Sequence, residues 1–137
     1  MSADARARFL AEVGARPPQR RLPLVGGVLG RVFDTPAVLL GELPPAQVLA
    51  AAVLVGRSLP GGAELAGDDP ALAAAALPAP ATVEVAGLAL EAVTIIADRG
   101  LIAEPVGATP ADRLLTELRA VLIDSLRAAP RGTPSPA

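Results

Sequence analysis

The stretch TVEVAGLALEAVTIIADRGLIAEPVGATPADRLLTELRAVLIDSLRA, Thr82 to Ala128, decides how the rest of the chain is read. Its first half is dense in β-branched residues: Val83, Val85, Val93, Thr94, Ile95 and Ile96. Side chains branched at Cβ suit a pleated surface better than a helix, so the residues up to Ala97 read as strand. Asp98-Arg99-Gly100 then reads as a tight turn, with Gly100 free to take the positive φ of a hairpin. Leu101-Ile102-Ala103-Glu104 reads as the return strand. Thr109-Pro110-Ala111-Asp112 opens a helix: the threonine caps free amides, the proline fits the first helical position, and the aspartate complements the helix dipole. In that helix Leu115, Leu118, Leu122 and Leu126 recur at steps of three and four, and Arg113 and Glu117 form an i,i+4 pair.

Outward from this stretch, Pro44 to Leu59 predicts a helix that starts at Pro44-Pro45 and stops at Leu59-Pro60-Gly61. Between Ala46 and Leu59 only Gln47, Arg57 and Ser58 are polar. A helix apolar all round must be covered on more than one side, by its own chain or by a partner. Val48, Ala51, Ala52 and Val55 lie along one side and are the candidate seam for self-association into a homodimer. Ser2 to Val13 predicts a short amphipathic helix with Phe9, Leu10 and Val13 on one face, ended by Gly14. Pro17-Pro18 then leads an extended linker carrying Arg20 and Arg21. Leu22 to Glu42 is ambiguous. Three glycines at 26, 27 and 30 would each cost a helix about 1 kcal/mol, so Leu24 to Phe33 is read as a strand. Asp34-Thr35-Pro36 makes a turn and Ala37 to Gly41 a second strand, with a helix beginning at Thr35-Pro36 as the competing reading. Pro60 to Pro80 is a long connection in which Asp69-Pro70 starts a short alanine helix over Ala71 to Ala76. Residues 1–130 form one domain, and 131–137, rich in Pro and Gly, a frayed tail.

At 137 residues the chain can bury about 65–70% of its unfolded surface in one core. It has no Cys, His, Trp, Tyr, Lys or Asn, and its bias toward Ala, Leu, Val, Gly, Pro and Arg resembles the output of a GC-rich genome. Without Cys there is no disulfide or thiolate metal site. The net charge is −2 and the 12 basic residues are scattered arginines, which argues against nucleic-acid binding. The mean hydropathy is high, +0.49, yet the longest apolar run, Val48 to Gly56, is half the ~20 residues a bilayer span needs. No signal-peptide core follows Arg6 and Arg8. The expectation is a soluble cytoplasmic protein with no membrane contact.

Three motifs weigh little. Gly26-Gly27-x-x-Gly30 falls inside the expected strand and lacks the helix after it that a dinucleotide turn needs, so no cofactor is expected. Asp124-Ser125-Leu126 matches the tripeptide at which acyl carrier proteins bear their arm, but it lies near a helix end with twelve residues left. Asp68, Asp69, Glu91, Asp98 and Glu104 sit nearest turns and read as solvated loop charges, without calcium-loop spacing. With no His, Cys, Lys or Tyr, most general bases and nucleophiles are missing, so no catalytic, cofactor or metal residues are assigned and the chain is not expected to be an enzyme.

The order helix, strand, strand, helix, β-rich segment, helix resembles the Roadblock/LC7 family, related to the longin-type sandwiches. Val25 to Leu40 looks like that family's first hairpin, and Val93 to Ala103 running into the helix at Thr109 looks like its last hairpin and helix. The usual turn glycine is replaced by Thr35-Pro36, the central helix is short, and the segment from Gly61 to Pro80 is long. The resemblance implies an α/β sandwich, a five-stranded antiparallel sheet with helices on it. It also implies a non-catalytic homodimer that regulates or scaffolds a small Ras-like GTPase. Two readings compete. One is an all-α helical bundle acting as a structural or adaptor subunit of a larger bacterial assembly, with Leu22–Phe33 and Thr82–Ala97 as helices. The other is a small apolar-ligand binding domain.

Overall fold

Helices, and no strand, make up the regular structure of the described residues. The computed structural model describes residues 2–34, 45–65, 67, 70–98 and 111–128. In chain order they are α1 (Ser2–Ala15), α2 (Pro18–Asp34), α3 (Pro45–Arg57), α4 (Pro70–Ala74), α5 (Val83–Asp98) and α6 (Ala111–Ala128).

Two expected strands are therefore corrected to helices, and the α/β sandwich falls with them. Leu24 to Phe33 lies inside α2. Its buried residues Val25, Val28, Leu29 and Val32 follow the i, i+3, i+4, i+7 spacing of one helical face. The intrinsic cost of Gly26, Gly27, Gly30 and Pro23 in a helix is real, but packing of that face outweighs it. At Gly26 a Cβ would lie 3.6 Å from Val85 Cγ2, an ordinary van der Waals contact, so α2 and α5 meet there without needing the glycine. Thr82 to Ala97 is the second correction, since Val83 onward forms α5. Thr82 caps it, its Oγ1 accepting from Val85 N–H at 3.2 Å and its carbonyl from Ala86 N–H at 2.9 Å. Ala86, Ala89, Ala92, Val93 and Ile96 are its buried face, again with helical spacing. Thr94 fits by donating its hydroxyl to the Leu90 carbonyl at 2.8 Å.

Four helices fall where the sequence puts them, within a few residues. Phe9, Leu10 and Val13 of α1 are buried as one face. The expected Pro44–Leu59 helix is α3, Pro45–Arg57. The short alanine helix is α4. The last helix is α6, with Leu115, Leu118 and Leu122 buried, Leu126 half-buried, and Arg113 Nε paired with Glu117 Oε2 at 2.9 Å. The strands expected over Ala37–Gly41 and Leu101–Glu104, and the tail over 131–137, lie outside the described residues.

The bundle is organised around α3, which packs against α1, α2, α5 and α6; α2 also meets α5, α5 meets α6, and α4 lies on α1. Ala46 and every residue from Val48 to Gly56 are buried. Fully burying a Val or Leu stabilises by about 1.5–3 kcal/mol, and Val48, Leu49, Val53, Leu54 and Val55 all reach that state in this one helix. Ala50, Ala51 and Ala52 keep the neighbouring axes close. At the C-terminal end, the Ser58 hydroxyl donates to Val55 O at 2.6 Å and accepts from Ala81 N–H at 3.0 Å, which ties the end of α3 to the start of α5.

Candidate functional site

The proposed seam is the first position to locate. Val48, Ala51, Ala52 and Val55 are each 0% exposed within the single chain. The physical reason for expecting a partner there was an uncovered apolar helix, and four helices of the same chain cover it. The either/or posed by the sequence is met from inside the chain.

Polar chemistry is confined to the periphery. Among the described residues no polar or charged side chain is buried. No group of three or more His, Cys, Asp or Glu is placed to hold a metal ion among them. Glu91 and Asp98 stand exposed on α5, while Asp68, Asp69 and Glu104 lie outside the described residues. Gly26, Gly27 and Gly30 sit in the middle of α2, where their amides serve the helix ladder instead of facing a phosphate. Ser125 is half-buried in the last two turns of α6.

Three polar side chains that the sequence reading passed over hold the corners together. Arg21, expected in an extended linker, sits instead in the first turns of the helix that begins at Pro18, and donates to three carbonyls: Gly14 O at 3.1 Å, Arg16 O at 3.2 Å and Ala76 O at 2.7 Å. Arg57, at the end of α3, donates through Nη1 to Leu65 O at 2.6 Å and Gly67 O at 3.1 Å. Ser58 is the third, described above. The planar guanidinium with five donors suits such multiple ties to helix-end and loop carbonyls. No sequence pattern announces a carbonyl as the acceptor, so only Arg21's position after Pro17-Pro18 could have hinted at it.

Among the described residues, α5 carries a patterned outer stripe. Glu84, Leu88, Glu91, Ile95 and Asp98 follow one another at steps of four, three, four and three. That spacing sets them along a single stripe of a helix. The three carboxylates are exposed, and Leu88 and Ile95 are half-buried beside them. The ion pairs among the described residues join Arg16 to Glu12 and Arg113 to Glu117, so they leave these three carboxylates unengaged. The helix carries no basic residue. The strand assignment hid this stripe, because in a strand Glu84 and Leu88 would face one side and Glu91 and Ile95 the other.

No family model matches the chain, and no curated protein or solved structure does either. No helix among the described residues is long and apolar enough to cross a membrane.

Proposed function

We propose that the protein is a non-catalytic, all-helical structural or adaptor subunit of a larger assembly, and that it meets its partner through the outer stripe of α5. The observation that carries this reading is the stripe itself: aliphatic Leu88 and Ile95 alternate with Glu84, Glu91 and Asp98 at heptad spacing. Such a surface suits a partner helix with aliphatic residues flanked by Arg or Lys. The all-helical fold and an interior given over to apolar packing support an adaptor better than a GTPase regulator, whose resemblance rested on a sheet.

The test is affinity capture from native lysate with two baits, the wild type and a Glu84→Arg/Glu91→Arg/Asp98→Arg variant whose helix content matches by circular dichroism. The expected result is a partner held by the wild type, released by raised salt, and lost by the variant. A wild-type bait recovered alone, or a partner retained equally by the variant, refutes the reading.

A further inference from the structure

We propose that residues 70–80 form a strap, latched by Arg21, that lifts off the bundle while the rest stays folded. The proposal stands independently of the adaptor reading. The strap consists of α4 and the Leu77-Pro78-Ala79-Pro80 arm that leads to Ala81. Leu72 and Ala75 are its two buried residues and Leu77 is half-buried; Pro70, Ala71, Ala73, Ala74, Ala76, Pro78, Ala79 and Pro80 are exposed.

Two buried side chains are a small return for fixing eleven residues, each of which loses backbone freedom on docking. A five-residue helix does not persist in water alone. The segment therefore belongs to the low end of local stability, where few apolar contacts hold many ordered residues. Arg21 ties it to the bundle through the 2.7 Å bond from Nη1 to Ala76 O. Arg21 is itself anchored by Gly14 O and Arg16 O at the end of α1, so the guanidinium joins the strap to the α1–α2 corner. Gly14 makes the seat close: a Cβ there would lie 3.3 Å from Ala74 O. At its other end the strap meets Ala81, whose amide is fixed to Ser58, and this is the hinge. Opening bares the part of α1 on which α4 lies.

Native-state hydrogen exchange on the full chain tests this. The probes are the amides of Ala75, bonded to Ala71 O, and Ala76, bonded to Ala73 O, read against Val53 and Leu54 of α3. In the wild type the strap amides exchange about 100-fold or more faster than those of α3. Ile96→Val, deep in the bundle, speeds exchange at Val53 and Leu54 by roughly 2- to 10-fold and leaves Ala75 and Ala76 unchanged, because the open strap does not disturb Ile96. Arg21→Met speeds Ala75 and Ala76 by about 10-fold, the size expected for losing a hydrogen bond from a charged donor. Arg21→Lys does the same, since one ammonium cannot span three carbonyls. The proposal is overturned if Ile96→Val speeds all four amides together, or if Arg21→Met leaves Ala75 and Ala76 unchanged.

Discussion

Two glycine-to-alanine substitutions, equal in chemistry, should move stability in opposite directions. Gly62 follows the turn that ends α3 and is buried. A Cβ placed on it would fall on the Gly56 carbonyl, 2.7 Å from the carbonyl carbon and closer still to the oxygen, and 3.1 Å from Val121 Cγ1. The carbonyl cannot swing away freely, because it accepts from Leu59 N–H at 3.1 Å, and the Leu59 carbonyl in turn accepts from Gly62 N–H at 3.0 Å. Overpacking a core costs about 1–3 kcal/mol, and a collision with backbone in place of a flexible side-chain end belongs at the upper limit. Gly62→Ala is therefore expected to cost about 3 kcal/mol out of a total of roughly 5–15 kcal/mol. Gly27, exposed on α2, has nothing within 4 Å of where a Cβ would stand. There the helix propensity of alanine acts alone, and Gly27→Ala should stabilise by about 1 kcal/mol. Urea denaturation with an unchanged slope gives both differences, and at a few degrees per kcal/mol the melting temperatures should separate by roughly 10–15 °C. A loss below about 0.5 kcal/mol for Gly62→Ala would refute the reasoning, since it would mean that the turn relaxes without strain.

Leu54→Ala, emptying a fully buried site on α3, should cost about 2–5 kcal/mol, whereas Val83→Ala, at a side chain 53% exposed, should change unfolding in urea by under about 0.5 kcal/mol. Thr82→Ala removes the cap of α5 and should cost about 1 kcal/mol; no change in melting temperature would show that the first amides find another acceptor. Glu117→Gln breaks the pair with Arg113, both well exposed at 72% and 43%, and should cost no more than about 0.5 kcal/mol in a salt-dependent way.

Where local signals and packing agreed, the sequence was legible. The leucine spacing of α6, the Phe9–Leu10–Val13 face of α1 and the proline bounds of α3 each pointed to the element observed. The two long corrections share a cause. In α5 the valines and isoleucines favour a strand by intrinsic propensity, while Ala86, Ala89 and Ala92 make up most of the buried helical face. Counting those alanines as contact residues restores the 3.6-residue period, and Thr82 with Glu84 then reads as a helix start. In α2 the glycines and Pro23 argued against a helix through intrinsic propensity, a weaker force than burial of Val25, Val28, Leu29 and Val32. The expected seam is a different case, since Val48, Ala51, Ala52 and Val55 are already buried within the single chain. Apolarity on every side of α3 says that it is covered, but says nothing about which molecule supplies the cover. The arginine ties were not legible at all, because backbone carbonyls leave no mark in a sequence.

The alanines and glycines of α3 and its surroundings have a consequence for how so narrow an alphabet specifies a shape. At Gly62 a Cβ would fall on the Gly56 carbonyl, which is backbone, so the identity of that site is defined by what it leaves out. Instructions written as missing atoms are cheap for a genome rich in Ala and Gly codons. They are also brittle, because nearly every mutation at such a site adds bulk. Sequence drift in this protein should therefore run freely along the outer stripes and stall at the smallest residues, reversing the usual expectation that large core side chains are the ones held fast.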